Sequence, residues 1–279
     1  MRPLTISCSN SSILFKYINS SLHDIPFVII RTSIIYLFLS HNNITSIPKQ
    51  LSTFINLRYL DLSFNHLTSL PSFHSLPNLY YLNLSHNHLS GVPSFASCPS
   101  ICYLNLSFNC ISILSNTFSL PNLHYLFLQH NFLLSIPPSF SSLSQLHSLD
   151  LSHNFLSSFF DCSTLSNLHT IKLHNNALSI IPPEITALTH LQYFSINHNK
   201  ITSLPTELFT IISLQELHLN NNFITTFPSL FISLSNIRIL CIQNNLISFI
   251  DLHIFDFFRS CFINLSNNPI QYKTSFQLI

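Results

Sequence analysis

An α/β repeat solenoid is the fold class that this sequence of 279 residues predicts, and three observations predict it. The pattern LxxLxLxxNxL, carried by LRYLDLSFNHL from Leu57 to Leu67, returns every 22 or 23 residues along nearly the whole chain. Within each copy the LxL core, such as Leu60 and Leu62, alternates with the period of a strand. An Asn recurs at the ninth position of almost every copy. A single copy has one apolar face and nothing to bury it against, so it becomes stable only by stacking on its own kind. Identical strands then line up into a parallel sheet on the inner, concave face of one elongated domain.

Taken in order, residues 1–33 form an N-terminal cap with a degenerate repeat, in which FKYINSSLHDIP places Phe15, Tyr17, Leu22, Ile25 and Pro26 at repeat spacing and Ser20 in the Asn slot. End repeats meet solvent on one side, which gives a cap a physical reason to depart from consensus. Residues 34–270 hold about eleven repeats, with first positions at Ile34, Leu57, Leu79, Ile101, Leu123, Leu146, Leu168, Leu191, Leu214 and Ile237. A closing unit from Ser260 keeps Ile263, Leu265, Asn268 and Ile270 but has lost the first apolar residue, and 271–279 form a short tail. The column Asn42, Asn65, Asn87, Asn109, Asn131, Asn154, Asn176, Asn199, Asn222, Asn245 and Asn268 is expected to bond backbone groups inside each bend, a structural role. Two prolines in each of SLPSFHSLPNL and GVPSFASCPSI predict turns and 3₁₀ pieces on the return path. In IPPEITALTHL and LPTELFTIISL a proline ahead of Glu184 or Glu207 predicts one or two helical turns.

Composition excludes several functions. Hydrophobic residues make up 47% and charged residues only 7%, so Ser, Asn, His, Thr and Gln must supply the polar surface. A net charge of +1 offers no extended field for nucleic acid or anionic lipid, and neither is expected as a partner. With Gly91 the only glycine, no GxGxxG or GxxxxGK[ST] phosphate loop can exist. Cys8, Cys98, Cys102, Cys110, Cys162, Cys241 and Cys261 are scattered without a CxxC pair, which reads as reduced thiols. Lys16 interrupts the first apolar run, so no secretion signal is visible, and the apolar stretch from Phe27 to Leu39 is broken by Arg31 and too short to span a membrane. These features predict a soluble cytoplasmic chain. The sequons at Asn10, Asn19, Asn43, Asn83, Asn105 and Asn264 then read as by-products of the consensus, three of them being the NLS of the repeat core.

These residues resemble the leucine-rich repeat family from about Ser12 to Ile270, and repeats such as LQYFSINHNKITSLPTELFTIISL resemble its intracellular class of 22 or 23 residues. The resemblance implies a right-handed horseshoe with a parallel concave sheet and mostly turn or 3₁₀ returns on the convex side. It implies that the concave sheet binds another protein. Ser115, Phe160 and Asp251 depart from the family's proline after the fourteenth position.

If fourth and sixth positions point inward, third and fifth positions face outward on the concave side. The third-position column reads Tyr36, Tyr59, Tyr81, Tyr103 and Tyr125, which predicts a continuous aromatic strip of the kind found at interfaces. Eighth positions add His41, Phe64, His86, Phe108 and His130 beside it. The alternative is that ring packing merely stabilises the sheet. Asp61, with Arg58, Asp150, Lys172, Lys200, Glu216 and Arg238, supplies the sparse charge near this face. His124, His147 and His169 with His130, His153 and His174 raise a metal hypothesis, against which stands the lack of an invariant HxH or HExxH spacing in these columns. Nothing predicts catalysis or a cofactor, since Ser and His recur everywhere without a glycine-rich oxyanion turn. The predicted function is a non-enzymatic scaffold for a protein partner in intracellular signalling or regulation. The alternatives are a regulatory array of an enzyme such as a phosphatase, and a cell-surface recognition or adhesion ectodomain.

Overall fold

A computed structural model describes residues 7–9, 12–23, 25, 34–70, 76–92, 95, 97–116, 118–251 and 261–271. One 13-stranded sheet runs its length in sequence order. Its strands are β1 (Ser7–Ser9), β2 (Ser12–Lys16), β3 (Ile34–Phe38), β4 (Tyr59–Asp61), β5 (Tyr81–Asn83), β6 (Tyr103–Asn105), β7 (Tyr125–Phe127), β8 (Ser148–Asp150), β9 (Thr170–Lys172), β10 (Tyr193–Ser195), β11 (Glu216–His218), β12 (Ile239–Cys241) and β13 (Phe262–Asn264). From β2 onward every neighbouring pair is parallel and pairs equal repeat positions, Tyr59 with Tyr81 and Leu60 with Leu82 for instance. Phe15 and Ile25, ahead of β3, are buried in the same core as the later repeats. Ahead of them β1 pairs antiparallel with β2, a hairpin edge that the repeat period does not encode.

Burial follows the repeat. Leu60, Leu82, Leu104 and Leu126 at fourth positions and Leu62, Leu84, Leu106 and Leu128 at sixth positions have no exposed surface, forming one core through the stack. Third and fifth positions stay half-exposed in most repeats, as strand alternation demands. Asp150 and Ser195, both fifth positions, are the buried exceptions.

The return path holds five-residue 3₁₀ turns at Lys49–Thr53, Pro138–Ser142, Pro183–Ala187, Thr206–Thr210 and Ser229–Ser233, each following a proline in extended conformation. The expected turns after Pro182 and Pro205 are therefore 3₁₀ in form. Each inserts an apolar side chain into the core, such as Phe140, Ile185 or Phe231, and the turn at Thr206–Thr210 inserts two, Leu208 and Phe209. Pro26, Arg31, Pro71, Pro93 and Ser260 lie outside the described residues, as does the tail beyond Gln271.

The asparagine column acts between repeats as well as within them. Asn109 donates through Nδ2 to the carbonyls of Leu106 at 3.1 Å and Ser107 at 3.2 Å in its own bend, and to that of Leu84 in the preceding repeat at 3.0 Å. Its Oδ1 accepts the Leu89 N–H at 3.0 Å. One buried amide thus satisfies backbone groups of two adjacent bends, and the same set recurs at Asn65, Asn87, Asn154, Asn199 and Asn222.

Candidate functional site: the aromatic columns of the concave sheet

Parallel pairing at equal positions turns a sequence column into a physical row. The rings of Tyr36 and Tyr59 stack at 5.0 Å between centroids, Tyr59 and Tyr81 at 5.5 Å, and Tyr81 and Tyr103 at 4.4 Å. Tyr125 continues the row at 6.2 Å, tilted by 39°. The third positions thus form a contiguous row of five rings, the first four stacked and half-buried and Tyr125 tilted and exposed. Because the faces are turned on one another, the strip presents ring edges and hydroxyl groups to solvent. The Tyr81 and Tyr103 rings, 4.4 Å apart, are both half-buried. Burial pushes both phenols above the ordinary tyrosine range, so they are neutral donors and acceptors.

The eighth positions form a second row of different origin. His41, Phe64, His86, Phe108, His130 and His153 all adopt left-handed φ values of 53 to 55°, a region that bulky side chains ordinarily avoid. Their rings stack continuously at 4.0 to 4.2 Å and within 15° of parallel. Further along, the row continues as amides and imidazoles, with Asn175 Nδ2 3.1 Å from His153 Nε2, Asn221 Nδ2 3.1 Å from His198 Nε2, and Asn267 Nδ2 2.7 Å from Asn244 Oδ1. Burial lowers the His86 and His130 basicity, and neighbouring imidazoles lower it further. Of the predicted contact residues in this row, Phe64 and Phe108 remain exposed and His86 and His130 half-exposed.

Fifth positions bond to seventh positions in a way that sequence reasoning missed. Asp61 Oδ1 accepts from both the backbone N–H and the hydroxyl of Ser63, at 3.0 and 2.7 Å. Asn83 with Ser85, Asn105 with Ser107, Asp150 with Ser152 and Asn264 with Ser266 repeat the arrangement. The signal was available in the recurring DLS and NLS triplets. Asp61 therefore has one oxygen committed to the fold. Where Phe127 and Cys241 occupy the fifth position, Gln129 and Gln243 follow at the seventh, and their buried Oε1 atoms find no partner among the described residues.

Second positions carry His124, His147 and His169, stacked at 4.8 and 5.4 Å. Each Nδ1 lies 2.7 to 2.8 Å from a carbonyl oxygen two residues back, Asn122, Gln145 and Asn167 respectively. A carbonyl only accepts, so Nδ1 carries the proton in each. Stacked rings aim their remaining nitrogens side by side, whereas a shared metal at about 2.0 to 2.1 Å needs them to converge. Among the described residues no group of three or more His, Cys, Asp or Glu is placed to hold a metal ion. Beside the stack, Cys102 Sγ lies 3.0 Å from His124 Nδ1, a contact between second positions of adjacent repeats.

With this geometry in view, the comparisons are specific. The family model for Leucine rich repeat matches residues 32–89, 166–224 and 189–247, and that for Leucine Rich repeats in two copies matches residues 121–167. Among solved structures, the LRR protein LIC12759 of Leptospira interrogans is 30% identical, with a TM-score of 0.73 over 89% of this chain and 70% of that one. The internalin InlF of Listeria monocytogenes is 22% identical with the same TM-score of 0.73, over 94% of this chain and 82% of that one. The plant peptide hormone receptor RGFR1, solved in complex with RGF2, is 29% identical with a TM-score of 0.68 over 88% of this chain and 45% of that one, so the chain spans less than half of that receptor. Comparison with curated protein sequences finds no match.

Proposed function

Because the chain belongs to the leucine-rich repeat family, whose fold serves generally as a binding scaffold, we propose that its concave sheet docks a protein partner along the tyrosine strip. The observation that carries this reading is the continuous row of rings from Tyr36 to Tyr125 on the outward side of the sheet, stacked as far as Tyr103. Stacked rings are already ordered, so a partner meets a rigid amphipathic surface and the side-chain entropy lost on binding is small. The flanking Phe64, His86, Phe108 and His130 widen the surface, and Asp61 with Arg58 sets orientation more than affinity. The receptor RGFR1 in complex with RGF2 is a related fold that holds a partner, which supports a protein or peptide ligand here.

The role is that of a non-enzymatic scaffold in intracellular signalling or regulation, in the cytoplasm. The buried, protonated thiols of Cys98 and Cys162, raised to about 11 and about 12, suit a reducing compartment. Protease treatment of intact cells tests that placement: the protein should be protected, and cleavage would put it on the surface. Docking is tested by capture from native lysate with the wild type and with a Tyr59→Ala, Tyr81→Ala, Tyr103→Ala, Tyr125→Ala variant. The variant should keep a cooperative melt and lose its partner. If binding declines only in step with unfolding, the strip is structural.

A further inference from the structure

The third-position column is interrupted. After Tyr125 come Ser148 and Thr170, and the aromatic column resumes at Tyr193. Three strand steps of about 4.8 Å separate Tyr125 from Tyr193, a span of about 14 Å. In the intact part of the column each such step holds one ring, with stacked centroids 4.4 to 5.5 Å apart. The interruption is therefore a slot two rings deep, walled by Tyr125 and Tyr193 and floored by two small hydroxyl side chains. Of its walls Tyr125 is 43% exposed, with the His147 ring 6.5 Å away, and Tyr193 is half-buried. The ring contact of Tyr193 among the described residues is with His218, on its far side from Thr170. Along one edge run the parallel imidazoles of His147 and His169. Lys172, on the same strand as Thr170, is paired with Asp150 at 3.7 Å.

We propose that this slot receives two aromatic side chains of a protein partner, presented about 5 Å apart, which complete the column between Tyr125 and Tyr193. The proposal rests on the concave face being the docking surface and names what the partner brings to it. Facing residues of a β-hairpin have the required spacing, with Cβ atoms about 4.5 to 5.5 Å apart, whereas alternate residues of one extended strand are about 7 Å apart and overshoot it. Planar bases would match the rings, but a nucleic acid needs unpaired cations, and the cation here is neutralised by Asp150.

The chain contains no tryptophan, so the emission of a tryptophan probe reports binding without background. The probe is a disulfide-closed hairpin peptide with one facing Trp–Trp pair, beside the same hairpin with Leu–Leu and a single-stranded oligonucleotide. The Trp–Trp hairpin should bind the wild type about tenfold more tightly than the Leu–Leu hairpin. Tyr193→Ala, which removes one wall and leaves the five-ring strip intact, should weaken it about tenfold. Ser148→Tyr with Thr170→Tyr fills the slot from within and should abolish binding without lowering the melting temperature. Equal affinity for the two hairpins, indifference to Tyr193→Ala, or preference for the oligonucleotide would overturn the proposal. If native partner capture depends on the four strip tyrosines but not on Tyr193, the slot fails while the docking strip stands.

Discussion

Asn109 shows how much of this fold depends on single side chains. Its amide makes four hydrogen bonds, two of them to the preceding repeat, and an alanine would leave the Leu89 N–H and several carbonyls buried without partners. Asn109→Ala should cost about 3 kcal/mol in urea unfolding. A Ser90→Ala control, at an exposed loop position, should cost almost nothing. Thiol chemistry at this scale has a defined sign. Burial raises the folded pKa of Cys98 to about 11 and of Cys162 to about 12. Each thus adds stability that is complete below the unfolded thiol range near 8.5 and is lost as pH rises through the folded value. Stability should fall between about pH 9 and 12. Iodoacetamide at pH 8 should label exposed Cys110 first and reach Cys98 and Cys162 only after denaturation, as mass spectrometry would read.

At the scale of the element, the eighth-position row sets ring stacking against backbone strain. Phe108 is held at φ 54° between His86 and His130, each 4.2 Å away. Phe108→Ala loses both stacks and keeps the left-handed backbone, and should destabilise by about 1 to 2 kcal/mol. Asn tolerates that backbone, so Phe108→Asn should cost less than Phe108→Ala in the same melt. If the two variants melt alike, strain plays no part in the row. This row also marks where sequence reading stopped. The tyrosine row was legible because parallel register converts position into neighbour, and LxL spacing sets that register. The left-handed bend was not, since Phe at Phe64 and Phe108 has no local preference for it. It arises because the Asn amide and the next repeat's carbonyls hold the turn, a non-local cause. The antiparallel β1 escaped for a similar reason: Ser7–Ser9 carries no repeat pattern and pairs only because β2 has a free edge.

At the scale of the whole molecule, the core is a single continuous stack, so the cost of a defect depends on where it falls. Leu126 is wholly buried in the middle, while Ile263 in β13, the last strand of the sheet among the described residues, is half-exposed. Leu126→Ala should cost about 3 kcal/mol and Ile263→Ala distinctly less in equilibrium unfolding. The same one-dimensional order lets a partner be located along the chain. The central claim is that the concave tyrosine strip is the surface a partner touches, and site-specific photocrosslinking measures this most directly. A benzophenone side chain would replace Tyr103 in one protein and Ile113, 73% exposed on the return path, in another. Irradiation in native lysate should give a discrete covalent adduct from position 103 and none from position 113. Adducts of equal yield at both positions, or from position 113 alone, would contradict the account.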